Sequence, residues 1–267
     1  MNASTSMTEA IAERFLAARK AAQSLDEYPG APPATLDEAY AIQDSALARM
    51  GGVIAGWKVG RILPPLSDQY GCDRLAGPIF ANTVSMIGPA SQGLIYAGGF
   101  GAIEAEFLFR IGKAPRADQS QFTLEEAAGH IDAVHIGVEI ASSPFVGIND
   151  MGPAVTISDF GNNNGLLIGP AVPSWRDNTY ADQEVITSID GAPVGKGSAS
   201  AFTFGAIGSV RFLLENLARR NIPIETGWWI STGAVTGVHP IRPGQEVKMD
   251  FGPLGALHCS IGTQEPR

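Results

Sequence analysis

Cysteine is almost missing from this chain: its 267 residues include only Cys72 and Cys259, far apart and without paired spacing. A disulfide framework, a cysteine-rich zinc site and a dithiol redox motif are thereby excluded, and a reducing compartment fits. Histidine is scarce too. His130 falls near an expected helix end, His135 and His258 in strand-like runs, and His239 before a proline, so no His-Asp-Ser or His-Cys order emerges. Positive charge is also short, with 18 Lys and Arg against 27 Asp and Glu for a net of −9. Lys and Arg form no cluster larger than a pair such as Arg219-Arg220, too little for nucleic acid or an anionic membrane surface. No apolar run approaches the ~20 residues needed to span a bilayer. The first residues lack a basic segment followed by an apolar one, so a soluble cytoplasmic protein is expected.

What is abundant is punctuation. The 32 glycines and 18 prolines are spread along the chain in turn-like pairs, as many short strands require. Ser6-x-x-Glu9 and Thr35-x-x-Glu38 have the capping-box form and precede helical spacing, so the first ~50 residues are expected to be mostly helical, ending at Gly51-Gly52. Strand-like runs follow at about 54–60, 103–111, 133–141, 165–169, 183–190, 228–232, 246–251 and 256–261. Helices are expected to interrupt them only twice, from Thr123-x-x-Glu126 to about His130 and over about 204–220, where Val210, Leu213, Leu214 and Leu217 form the inner face. This irregular order predicts an α+β fold rather than a doubly wound sheet. A mainly helical portion, 1–65, would pack on a β-rich domain, 66–267. Gly99-Phe-Gly101 is not a dinucleotide loop, because it lacks the third glycine and leads into a strand.

The chemistry concentrates in carboxylates. Ile103, Ala105, Phe107, Phe109 and Ile111 share one register, which sends Glu104 and Glu106 together to the other face at ~7 Å spacing. Val134, Ile136, Val138 and Ile140 likewise set Glu139 opposite a greasy face. Three carboxylates that converge would suit Mg²⁺ or Mn²⁺ better than zinc. The alternative is that all three line the solvated face of an antiparallel sheet. Lys58, alone in the apolar stretch Ala55-Gly56-Trp57-Lys58-Val59-Gly60, must either snorkel to the surface, which the residues alone favour, or find carboxylates elsewhere. Ser158 and Asp159 open a polar cluster that ends in Asn162-Asn163-Asn164, read locally as an Asx-type or left-handed turn before a strand. Alternation across Trp228-Trp229 directs one indole away from the local core, towards an interface or a substrate wall.

Gly56-Trp57-Lys58-Val59-Gly60, Ile103-Glu104-Ala105-Glu106, Gly137-Val138-Glu139-Ile140, Ile157-Ser158-Asp159 and Ser231-Thr232-Gly233-Ala234 also stand in a telling order. Together they resemble the 2-keto-4-pentenoate hydratase, 2-oxo-hepta-3-ene-1,7-dioate hydratase and 4-oxalocrotonate decarboxylase family of the fumarylacetoacetate hydrolase superfamily. The resemblance implies a helical N-terminal portion on a β-rich mixed-sheet roll, homo-oligomeric assembly, and a Mg²⁺ or Mn²⁺ site held by Glu104, Glu106 and Glu139. Lys58 would be a base or electrostatic partner, and Ser158 and Asp159 would lie near a small anionic 2-hydroxydienoate or 2-keto acid. The implied reaction is hydration of a 2-hydroxy-2,4-dienoate from aromatic-ring cleavage. Decarboxylation, hydrolysis of an acylpyruvate, or ligand binding without turnover are the alternatives, and the absence of any histidine before His130 counts against hydrolysis. Three places depart from the family pattern. Arg74-Leu75-Ala76-Gly77-Pro78 stands where a Pro-Asp-Tyr-Gly-like element is common, leaving Asp73 as the nearest acid; the lysine motif continues as Gly60-Arg61-Ile62-Leu63 rather than with the usual Thr-Ser, and Phe160 replaces an asparagine.

Overall fold

The computed structural model describes residues 3–267, with side chains from Met7 onward. Its helices are α1 (Ala3–Ala21), α2 (Leu36–Met50), α3 (Leu66–Tyr70), α4 (Leu124–Gly129), α5 (Pro153–Ser158) and α6 (Gly205–Arg219). The strands are β1 (Ile54–Arg61), β2 (Arg74–Phe80), β3 (Val84–Met86), β4 (Gln92–Ile95), β5 (Phe100–Ile111), β6 (Ile131–Ser143), β7 (Asn163–Ala171), β8 (Val185–Ile189), β9 (Ala192–Gly197), β10 (Trp229–Ser231), β11 (His239–Pro240), β12 (Glu246–Asp250) and β13 (Ala256–Thr263). The expected α+β class is what the chain adopts. Each strand-like run of the sequence became a strand, within a few residues at either end.

Local chemistry sets the helix ends. Thr123 and Glu126 form a complete capping box on α4. Thr35 caps α2 through the Glu38 backbone N–H, while the Glu38 carboxylate accepts from Ala34 N–H instead of closing the box. Gly51 ends α2 in the left-handed conformation. The serine side chain of Ser6-x-x-Glu9 lies outside the described residues, and α1 already begins at Ala3.

The expectation of only two helical interruptions fails, since α3 and α5 also form, and five strands, β2, β3, β4, β9 and β11, were not anticipated. Prolines concealed two of these strands: Pro78 sits in β2 at the edge of its sheet, and Pro193 in the outer strand β9. A sheet edge is where a residue without an N–H is tolerated.

Two sheets form the body. The larger is a mixed sheet in the order β2-β1-β10-β5-β6-β7-β3, with β11 also on β5; the smaller runs β4-β13-β12-β8-β9. Strand β1, which precedes residue 65, lies inside the larger sheet between β2 and β10. The face carrying Trp57, Val59, Ile103, Ala105, Phe107, Phe109, Ile136 and Val138 packs on Val247, Met249, Leu257, Cys259 and Ile261 of the smaller sheet, in one buried cluster with the inner face of α6. Helices α1 and α2 make a second core with Phe80, Phe145, Val155 and Phe160. Trp228 joins the main core, whereas Trp229 turns to the opposite face of the sheet, against His135.

With its greasy side occupied by the second sheet, the larger sheet presents its other face to the site. Among the described residues no helix is long and apolar enough to cross a membrane. Phe107 is fully buried between the sheets, with its ring 4.8 Å from Tyr180 and 5.6 Å from Phe251. Phe107→Ala is expected to cost about 3–5 kcal/mol, read as a lowered urea midpoint.

Candidate metal centre and active-site cavity

Strands β5 and β6 pair antiparallel in a register that sets Glu104 directly opposite Glu139, and Glu106 opposite Gly137. Strand alternation then sends all three carboxylates to one face, where each offers an oxygen within 4.8 Å of the others. Glu104 is 4 % exposed and Glu106 and Glu139 are 0 %, so the solvated-face alternative is overturned.

The third dimension of the site comes from β10, which lies between β1 and β5 and pairs Ser231 with both Lys58 and Leu108. Ser231 Oγ donates to Glu106 Oε2 at 2.6 Å, and the Gly233 N–H donates to the same oxygen at 2.8 Å. Lys58 does not snorkel: it is 3 % exposed, with Nζ 3.2 Å from Glu139 Oε1 and 3.3 Å from Asn162 Oδ1. Snorkelling fails as a reading because the ammonium finds its carboxylates on strands distant in sequence. Asn163 Nδ2 also donates to Glu139 Oε1, at 3.1 Å.

Charge at this site does not balance by itself. Burial alone would favour a neutral Lys58, but Glu104, Glu139 and Glu106 outweigh it and raise the lysine's pKa. Glu104 is pushed up to about 7, by burial first and by Glu139, against the lowering effect of Lys58. Glu106 is raised well above the ordinary carboxylate range by burial and by its two acidic neighbours. One ammonium is thus too little for three buried carboxylates. In addition, among the described residues no N–H or hydroxyl donor reaches the buried Glu106 Oε1 and Glu139 Oε2. A hard divalent cation fits this donor set, since it would engage the orphaned oxygens and supply the missing positive charge.

The triad opens through Glu104 and Lys58 into a cavity of about 360 Å³ whose wall includes Arg61, Ile62, Leu75, Asn149, Thr156 and Asn162. Leu63 and Val238 stand at its exposed margin. Among the described residues its titratable lining is Lys58, Arg61 and Glu104. Asp73 is not there: half exposed, it pairs with Arg74 at 2.6 Å. No histidine lines the cavity either.

Ser158 and Asp159 are buried but do not line the cavity. Ser158 Oγ donates to the Val155 carbonyl at 2.7 Å and accepts from Tyr28 Oη at 3.1 Å. Asp159 faces α1, where Arg19 meets both its oxygens, at 2.6 and 3.0 Å, and Ser143 Oγ donates at 2.6 Å. Arg19 also donates to the carbonyls of Ser142 and Asn163, so one guanidinium ties α1 to the end of β6 and the start of β7. Nothing local marked Arg19, which reads in sequence as a solvated residue near a helix C-terminus.

After Asp159 the chain makes a turn, Phe160–Asn162, with Phe160, Gly161 and Asn162 all at positive φ (56°, 63° and 57°). Two of these are not glycine, an unusual cost in backbone strain. The turn is pressed so closely on β2 that a Cβ on Gly77 would overlap the Phe160 carbonyl. Arg19 covers the Phe160 ring at 5.2 Å, and Asn162 emerges between Lys58 and Asn149. The left-handed turn expected here is present at Asn162, while Asn163 already belongs to β7.

No family model matches the chain. A 2-keto-4-pentenoate hydratase of Paraburkholderia xenovorans is 24 % identical over 237 residues, 88 % of this chain and 87 % of that protein. The 4-oxalocrotonate decarboxylase of Pseudomonas putida G7, solved with magnesium and adipate, superposes with a TM-score of 0.79 at 22 % identity over 96 % of this chain and 97 % of its own. A fumarylpyruvate hydrolase of Pseudomonas aeruginosa, solved with Mn²⁺ and pyruvate, gives 0.56 at 18 % identity over 79 % of this chain and 90 % of its own. The chain shares its fold with these solved proteins. The likeness to 2-keto-4-pentenoate hydratases and 4-oxalocrotonate decarboxylases, drawn from the ordered motifs, is borne out along most of the chain.

The Arg19–Asp159 pair is expected to behave as a structural unit. Arg19→Met and Asp159→Asn should each cost about 3–5 kcal/mol, because a lone buried charge or an unfilled donor set remains. The double variant should cost clearly less than their sum in a urea-unfolding cycle. Additive losses would dissolve the coupling.

Proposed function

We propose that this chain is a divalent-metal-dependent hydratase that adds water to a 2-hydroxy-2,4-dienoate and releases a 4-hydroxy-2-oxo acid. The observation that carries this reading is the buried Glu104, Glu106 and Glu139 triad, with two orphaned oxygens, opening beside Lys58 into a cavity. Kinship with proteins named as 2-keto-4-pentenoate hydratases points the same way. So does the magnesium or Mn²⁺ present in structures that share the fold.

Glu104, Glu106 and Glu139 would hold Mg²⁺ or Mn²⁺. When bound, the cation supplies Lewis acidity at the C2 oxygen of a 2-oxo or 2-hydroxy acid. The protein's own groups do the rest. Ser231 Oγ and Gly233 N–H hold Glu106 Oε2, and Asn163 and Lys58 hold Glu139 Oε1, so the other oxygen of each carboxylate would be free for the ion. Three carboxylates with a divalent ion leave a net charge of −1, which the Lys58 ammonium offsets as an anionic substrate enters. Lys58 then stands as a fixed positive charge beside the enolate-like charge that develops at C2, with Asn162 orienting Nζ. Its ion pair with Glu139 favours a role as electrostatic partner over that of a resting base. Ile62 and Leu75 would offer apolar contact to the hydrocarbon part of the diene.

Decarboxylation of a vinylogous 2-keto acid is the second reading, favoured by the fold-wide match to a 4-oxalocrotonate decarboxylase. The same electron sink serves loss of carbon dioxide. Hydrolysis of an acylpyruvate fits less well, since no histidine among the described residues lines the cavity.

In a stopped-flow ultraviolet assay of chelator-stripped protein, added Mg²⁺ or Mn²⁺ is expected to restore the loss of dienol absorbance, with a product one water heavier. A product lighter by carbon dioxide would assign the decarboxylase, and silence in metal-loaded protein would sink both. Lys58→Met should lower turnover by about 10²-fold or more; a loss under threefold would remove it from catalysis. Removal of the ion should lower the thermal midpoint of the wild type, and Glu106→Gln or Glu139→Gln should abolish that metal-dependent shift.

A further inference from the structure

The cavity contains a cation that the reaction above leaves unused. Arg61 ends β1, three residues beyond Lys58, which at strand rise separates their Cα atoms by ~10 Å. Its guanidinium lies 4.5 Å above the Phe202 ring, a contact that restrains the plane of the group on the cavity wall. Among the described residues that guanidinium has no carboxylate within ion-pair distance and no hydrogen bond. Its partner across the β1–β2 ladder, Arg74, differs completely: Asp73, the Thr203 carbonyl and Ser209 Oγ occupy that guanidinium. Arg61 is exposed at its outer side; partial burial and the like charge of Arg74 act against its cationic form, and Glu106 favours it. An anion delivered to Arg61 would therefore meet a positioned and unpaired donor fork.

Much of the cavity lining is apolar. Ile62, Leu75 and Ala234 line the same cavity as Lys58, Glu104 and Arg61, and Leu63, Leu66 and Val238 are its exposed apolar lining. A ligand anchored by a 2-oxo acid at the carboxylate triad would lay its hydrocarbon portion along these side chains. Its far end would then come within reach of Arg61. A lone planar guanidinium is matched by one planar anion, a carboxylate held through paired N–H donors.

We infer that Arg61 is a specificity-determining residue that receives a second, distal carboxylate, so that the substrate is a dicarboxylic 2-hydroxydienoate or 2-oxo acid rather than a monocarboxylic one. This rests on the proposed reading of the triad as the place where the 2-oxo acid end is held.

The two ideas can be separated by calorimetry on the full chain loaded with Mg²⁺, titrated with 2-oxoadipate and with 2-oxohexanoate, which differ only at the far end. Wild-type protein is expected to bind 2-oxoadipate about tenfold or more tightly, the scale of one charge-assisted pair. Arg61→Met should bring the ratio of the two affinities to within about threefold of unity, and Arg61→Lys should give an intermediate ratio. The same Mg²⁺-dependent thermal shift as the wild type verifies that each variant is folded. Equal affinities in the wild type, or a ratio that Arg61→Met leaves unchanged, overturn the role of Arg61 while the metal-site reading stands. Failure of both ligands to bind in a Mg²⁺-dependent way overturns that reading, and the inference with it.

Discussion

Three buried carboxylates packed side by side at the end of a cavity are the constraint on which the rest of this structure depends. Isolated buried charges cost several kcal/mol each, and adjacent like charges more. Each neighbouring element is accordingly placed to answer them. Strand β10 delivers Ser231 and the Gly233 N–H to Glu106, strand β1 carries Lys58 to Glu139, and the start of β7 supplies Asn163. The balance still falls short of neutrality, and two oxygens remain without partners. A protein that tolerates such a deficit has the donor set of a cation site, and the deficit itself is the chemical argument for one.

A second buried ion pair stabilises the frame around the first. Arg19 and Asp159 do not touch the cavity, yet they join α1 to the ends of β6 and β7 and anchor the strained turn that presents Asn162 to Lys58. The turn persists because packing on both sides determines it: the Arg19 guanidinium lies over Phe160, and Gly77 leaves room for the turn's backbone. Strain of this kind survives only where surrounding contacts over-determine it. Helices at the beginning of the chain thus contribute to a site built almost entirely from later strands.

Much of the site was legible before the fold. Alternation in 103–111 and 133–141 put Glu104, Glu106 and Glu139 on faces away from the core, because a strand with one buried side leaves the other register free for chemistry. Their convergence was a plausible consequence, whereas their burial was not legible. Whether that second face meets water depends on what covers it, and here the cover is a turn near residue 160 and a loop near residue 233. Lys58 was misread as a snorkelling residue for the same reason, since its partners lie on strands far away in sequence. Ser158 and Asp159 stood out correctly as a polar cluster, but the direction they face was decided by Arg19, a residue with no local mark.

The sequence by itself therefore determined the α+β class, the long strands of both sheets, the capped helices and the identity of the three acids, because periodicity and capping act over a few residues. Tertiary structure alone decided which charges are buried together, which arginine locks Asp159 and which one, Arg61, is left free at the cavity wall. It also decided that Pro78 and Pro193 lie in strands, since an edge position is a property of the assembled sheet. Electrostatic pairing in a low-dielectric interior depends on distance in space, and that distance does not exist until the sheets have closed.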